Sequence, residues 1–215
     1  MNAAQIAYLI QGAWGTVLLS VLTFLFGGLA GLVVALMRVS ARAPVRGAAF
    51  TYIQVIQGTP LLVLMGVCFY GPSILGYESV PALVAAVLAL SVQSSAFLGE
   101  IWRGCIESVP RNQWEAAECL GLNKVQRMFK VILPQAVRIA TPSTVGFMVQ
   151  IVKNTSFASL VIGFAELSYN AKILNNATFK PFLYFGVAAV LYFIICYPLS
   201  WLSLKLERKL TLAQS

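Results

Sequence analysis

The 215-residue chain has no histidine and no aspartate, and charge of either sign is scarce. Only 10% of its residues are charged, against about 25% in a typical soluble domain. Without histidine or aspartate, the usual hydrolytic zinc sites and a Ser-His-Asp triad cannot be assembled. No GxxxxGK[ST] phosphate loop occurs, so the chain is not expected to hydrolyse ATP itself. Four cysteines, Cys68, Cys105, Cys119 and Cys196, are scattered, with neither zinc-ligand spacing nor a disulfide pattern. They read as small apolar side chains. The start lacks a basic n-region, since the first charge is Arg38, and no small-residue cleavage site follows a short apolar core. A cleavable signal is therefore not expected, and the first apolar segment is expected to be retained.

What is present is apolar: 59% of residues. Uncharged runs cover 1–37, 47–77, 79–99 and 181–204. A membrane span needs about 20 such residues. A fifth stretch, 134–157, is interrupted only by Arg138 and Lys153. The expectation is one all-α polytopic membrane domain over 1–215, with five spans near 14–37, 50–72, 80–102, 135–157 and 182–204. A cytoplasmic loop, 108–134, joins spans three and four. With five spans the termini lie on opposite sides. Twelve of the fifteen basic residues follow span one, lie between spans three and four, or follow span five. The positive-inside rule then puts the N-terminus outside and the C-terminus and the 108–134 loop in the cytoplasm. The net charge of +8 reads as topology and contact with anionic lipid. Nucleic-acid binding fits poorly, because the charge is divided among short loops.

Polar residues within the spans are the candidates for function. Gly27 and Gly31 form a GxxxG, which favours close helix packing within the subunit over a dimer contact. Span two is interrupted at Gln57-Gly58-Thr59-Pro60. Pro60 kinks it, and the freed backbone must be buried in protein or line a wet cavity. Span three carries Gln93, Ser94, Ser95 and Glu100. Glu100 either pairs with Arg103 or lines a pathway. Lys153-Asn154-Thr155-Ser156 either ends span four or forms a polar patch. Glu100 and Lys153 are the only charges expected at membrane depth.

The 108–134 loop predicts two short amphipathic helices. Asn112 with Glu115, and Asn123 with Gln126, have capping-box spacing. Gly121 sits where a left-handed C-terminal residue is needed, and Pro134 is expected to end the second helix. Trp114, Ala117 and Leu120 can share one face, as can Val125, Met128, Phe129 and Ile132. Periodicity alone is equally consistent with a loop folded against the membrane surface.

The spacing within that loop carries more. Glu115-Ala116-Ala117, three residues, Gly121, nine residues, then Val131-Ile132-Leu133-Pro134 resembles the EAA motif of bacterial ABC importer permeases. Only Val131 departs, conservatively, from the motif's isoleucine. Gly58-Thr59-Pro60-Leu61-Leu62 is similar to the G-T-P-L-L of the polar amino acid uptake branch. The segment from Ser94 to Gly104, with Glu100 and Arg103, resembles that branch's third span. Lys153-Asn154-Thr155-Ser156 resembles its K-[DN]-T-S segment, and Asn176, Pro181 and Phe182 resemble the start of its last span. The likeness runs from about Gly12 to Lys209. Departures occur at Gln57, where the branch often has Arg, at Leu64, where it often has Gln, and at Gln93, where it often has Asn.

The resemblance implies a permease subunit in the bacterial cytoplasmic membrane, with no enzymatic activity and no cofactor of its own. ATP and magnesium would be bound by separate ATPase subunits. A second permease copy or homologue, an external or periplasmic solute-binding protein and a polar amino acid substrate are further implied partners. Glu115, Ala116, Ala117, Gly121, Leu133 and Pro134 would form the coupling element. Gln93, Ser94, Glu100, Lys153, Asn154, Thr155, Ser156, Gly58 and Thr59 would line the substrate path. The alternatives are an ion-gradient-driven carrier or channel subunit, and a non-transporting membrane scaffold.

Overall fold

The computed structural model describes residues 1–214, with side chains described for residues 1–210. Every regular element among them is helical. In chain order these are α1 (Ala3–Arg38), α2 (Ala43–Gly58), α3 (Leu61–Ile74), α4 (Ala82–Glu107), α5 (Arg111–Cys119), α6 (Lys124–Arg127), α7 (Leu133–Asn154), α8 (Ser156–Val161), α9 (Leu167–Thr178) and α10 (Pro181–Gln214). A π-helical turn, Met128–Ile132, joins α6 to α7.

By length and composition, three helices are long and apolar enough to cross a membrane: α1, α4 and Pro181–Leu210 of α10. The pair α2 and α3 makes a fourth if counted as one span, but it is bent by 99° at Thr59-Pro60. The expected kink is therefore a break. Pro60 has no N–H to continue α2, and it extends Thr59 to φ −96°, ψ 127°. The stretch expected as span four is α7, which is long enough at 22 residues. Gln135, Arg138, Thr141 and Gln150 dilute its apolar character. Helix α1 begins well before position 14, because Asn2 and Gln5 form a full capping box.

Helices α1 and α4 run in parallel and form the centre of the bundle. Their contact is made by small residues. A Cβ on Gly27 would lie 2.9 Å from Ser94 Cβ, and one on Gly31 would lie 3.1 Å from Leu98 Cβ. Gly27 and Gly31 are thus consumed by packing within the subunit, where close approach maximises van der Waals contact. The C-terminal ends of α1 and α4 meet at Arg38 and Glu100. Helix α7 returns along α4, tied by Trp102 Nε1 donating to Thr144 Oγ1 at 2.9 Å.

Beyond α8, α9 is anchored into the bundle. Leu167 and Ala171 of α9 pack with Leu9 of α1 and with Tyr184 and Ala188 of α10. Asn170 donates to the Tyr8 carbonyl at 2.7 Å.

Candidate functional site

Two polar regions stand out: the loop between α4 and α7, and a cluster where α4 meets the end of α7.

The loop starts at Pro110, whose φ of −55° presets the first turn of α5. Asn112 consequently lies inside the helix and does not cap it, which corrects the expected Asn112–Glu115 box. The Asn123–Gln126 box does form, with Gln126 N–H donating to Asn123 Oδ1 at 2.9 Å and Asn123 N–H to Gln126 Oε1 at 3.1 Å. Gly121 adopts φ +73°. That left-handed turn lets Gly121 N–H reach the Glu118 carbonyl and Leu122 N–H reach that of Ala117.

Pro134 does not end a helix. It sits in the first turn of α7, and the helical path runs on from Lys124 to Asn154. The π turn immediately before it widens the path where Pro134 lacks a donor and its ring would crowd the Lys130 carbonyl.

The inner face of α5 is apolar. Trp114 packs on Ile106, Val109, Ile132 and Ala136. Ala117 is 2% exposed. Each large side chain in this cluster contributes on the order of 2 kcal/mol by leaving water. Two cross-links hold α5 to the helix behind it: Arg127 to Glu118 at 2.9 Å, and Gln135 Nε2 to Gln113 Oε1 at 3.3 Å. Leu133 is half-buried. The outer face presents Glu115, Ala116, Cys119 and Gly121. Leu120, Val125, Phe129 and Pro134 are also exposed, so the expected apolar stripes of α5 and α6 are only partly covered.

The second region joins residues remote in sequence. Asn154 Nδ2 donates to Gln93 Oε1 at 3.3 Å, and Gln150 Nε2 donates to Asn154 Oδ1 at 2.9 Å. Gln93 lies near the middle of α4. Lys153 is exposed on the same end of α7, and it has no carboxylate partner among the described residues. Helix α7 breaks at Thr155, and hydroxyls take up its last carbonyls. Thr155 donates to Val152 O and Ser156 to Lys153 O, both at 2.8 Å. Gln57, just before the α2 break, donates to the Ala96 carbonyl of α4 at 3.4 Å.

Gln93 and Asn154 are therefore brought together, with Gln150 beside them, whereas Lys153 and Ser156 are near neighbours of Asn154 in the chain and make no side-chain hydrogen bond to Gln93 among the described residues. Ser94 is buried against Gly27. Thr155 is fully buried. Thr59 donates to the Val55 carbonyl of its own helix, and Gly58 lies at the exposed break. A cavity of about 640 Å³ between α1, α4 and α7 is lined mainly by apolar groups, and none of these residues faces it.

Glu100 makes the ion pair expected of it. Oε1 accepts from Arg103 Nε at 2.9 Å and Nη2 at 2.6 Å. Oε2 faces Arg38 Nε of α1 at 3.6 Å. Arg103 also pairs with Glu107, and Arg38 lies over the Phe50 ring of α2.

The buried charge that sequence reasoning missed is Glu166. It is 0% exposed. Its carboxylate accepts from Ser168 N–H at 2.9 Å, Tyr169 N–H at 2.8 Å and Tyr192 O–H at 2.6 Å, with Thr16 O–H at 3.4 Å. It caps α9 and ties α1, α9 and α10 together. Its only signal in the sequence is a lone acid directly before the short amphipathic pattern of α9.

Comparison with known proteins places this architecture. Residues 25–212 match the family described as binding-protein-dependent transport system inner membrane component. The chain is 36% identical to the L-cystine transport system permease protein TcyB of Bacillus subtilis, over 93% of this chain and 85% of that one. It is 35% identical to the probable amino-acid ABC transporter permease protein YckA of Bacillus subtilis, covering 88% and 83% of the two chains. A crystal structure of an amino acid ABC transporter with histidines superposes with a TM-score of 0.88, at 36% identity, over 95% of this chain and 94% of that one. The MetNI methionine ABC transporter shares the fold, with a TM-score of 0.79 at 18% identity. The chain belongs to the family of binding-protein-dependent transport system inner membrane components, as a multi-pass transport subunit rather than an enzyme.

Proposed function

We propose that the chain is the permease subunit of an ATP-binding-cassette importer that carries a polar amino acid across the bacterial cytoplasmic membrane. The observation that carries this reading is the loop: α5 is pinned from behind by Trp114, Ala117 and two side-chain cross-links, while Glu115, Ala116 and Gly121 face outward. A short rigid helix held this way suits a socket on a separate ATPase subunit. The curated relatives and the superposed transporter support the amino acid substrate.

The chain is read as one domain with five spans, α7 supplying the fourth, the N-terminus outside and the C-terminus in the cytoplasm. On this reading the basic residues at the junction of α1 and α2, around α5 and in the C-terminal part of α10 face the cytoplasm, as the positive-inside rule requires. Two permease copies, or this chain and a homologue, would enclose the path. Two ATPase subunits would bind ATP and magnesium, and an external binding protein would deliver substrate.

Force on α5 passes through Trp114 and Ile132 to the ends of α4 and α7. Rigid-body tilting of these helices would alternate access to the Gln93–Asn154 cluster. Of the path residues, Gln93 and Asn154 are read as meeting substrate, supported by their contact across α4 and α7, with Lys153 and Ser156 beside Asn154 in the chain. The Glu100 carboxylate is engaged by Arg103 and Arg38 and is read as bracing α1 against α4.

Reconstitution into liposomes with the ATPase subunit and binding protein tests the reading. Uptake of a polar amino acid that requires ATP is the expected result. Uptake driven by an ion gradient without ATP would establish a secondary carrier instead.

A further inference from the structure

Resting on the amino acid importer reading above, we infer that the mid-depth site takes an amino acid whose side chain carries no positive charge. The chain's seven acidic residues are all glutamates. Glu78 lies between α3 and α4, Glu107, Glu115 and Glu118 lie at or beyond the end of α4, and Glu207 lies near the end of α10. Only Glu100 and Glu166 are set within the bundle, and both are engaged. Glu166 is fully buried among its four donors. Glu100 is held between Arg103 and Arg38. It also stands two turns along α4 from Gln93, about 10 Å at 1.5 Å per residue.

The cluster offers neutral groups, the amides of Gln93, Gln150 and Asn154, and the cation next to Asn154 in the chain is the exposed Lys153. Lys153 suits the carboxylate common to all amino acids. The common ammonium can be received by neutral oxygens, namely the remaining lone pairs of the Gln93 and Asn154 side-chain carbonyls. A cationic side chain brings a second positive charge, for which no anion remains. Near Lys153 it would also meet repulsion. Phe97, one turn along α4 from Gln93, and Phe147 of α7 stack on each other with centroids 5.7 Å apart, so each ring has one face occupied. A neutral polar or acidic side chain meets hydrogen-bonding amides, and an acidic one also meets Lys153.

The external binding protein imposes its own selection, so the test leaves it out. The permease–ATPase complex is purified, and equilibrium binding of radiolabelled glutamine, glutamate, arginine and lysine is measured. Glutamine or glutamate is expected to bind at least about tenfold more tightly than arginine or lysine, the minimum expected of a like-charge clash. Gln93→Glu should reverse the order by supplying the missing anion, and Lys153→Gln should weaken glutamate most. Arginine or lysine binding as tightly as glutamine to the unaltered complex would overturn the charge rule and leave the importer reading standing. Binding of none of the four would remove the amino acid reading, and this inference with it.

Discussion

The α5 loop and the Gln93–Asn154 cluster are both polar interruptions of an apolar chain, but they hold their polar groups in opposite ways. In the loop, the fold uses the inner face and leaves Glu115 and Ala116 outward, with no ion pair to Glu115 among the described residues. In the cluster, the amides satisfy one another across α4 and α7. The first arrangement suits a protein surface that docks as a rigid piece. The second suits a small polar molecule, which can exchange for one internal amide hydrogen bond at little net cost. Glu166 is a third arrangement: a buried group saturated by its own fold, with nothing left to offer a ligand.

Substitutions should separate the three. The largest loss of stability is expected for Glu166→Ala, which strands two backbone N–H groups and leaves the Tyr192 hydroxyl with Ser168 as its hydrogen-bond partner. At roughly 1–3 kcal/mol per stranded group, thermal unfolding in detergent should show a drop of several degrees or failure to fold. Unchanged unfolding would mean that α9 is not held by this carboxylate. Gly121→Val comes next. A β-branched residue at a left-handed φ costs about 1–3 kcal/mol, and the α5–α6 turn must reorganise. Insertion into the membrane should be normal while ATP-driven uptake falls about tenfold. Normal uptake would separate the loop from coupling.

Asn154→Ala should act on the other region. It removes the two side-chain hydrogen bonds of Asn154, each worth about 1 kcal/mol, so uptake should drop several-fold while ATPase assembly is retained. If assembly fails instead, the cluster is part of the docking frame and the contrast collapses. The smallest effect belongs to Glu118→Ala. Its pair with Arg127 is exposed on the Glu118 side, and such pairs contribute about 0–1 kcal/mol. Uptake and unfolding should both stay within experimental scatter.

Much of the loop was legible in sequence because its logic is local. The Gly121 turn and the Asn123–Gln126 box depend on residues within five positions of each other. Asn112 misled because Pro110, two residues earlier, sets the helix start. Pro134 misled because a π turn can carry a helix through a proline, and no residue pattern announces that turn. The apolar runs marked the three helices long and apolar enough to cross a membrane, yet the depth of the break at Thr59-Pro60 became visible only as a 99° bend. The cluster was half legible: Lys153 to Ser156 stood out as a polar run, but its pairing with Gln93 spans 61 positions. Glu166 was not legible, because its partners Thr16 and Tyr192 lie 150 and 26 positions away.

The central claim is that an ATPase subunit covers the outer face of α5. The direct measurement is the rate of thiol labelling at position 116, using Ala116→Cys with Cys119→Ser to silence the neighbouring exposed thiol. In the transport-competent complex, labelling should be slowed at least several-fold relative to the permease alone. Equal rates in the free and assembled states would contradict the account.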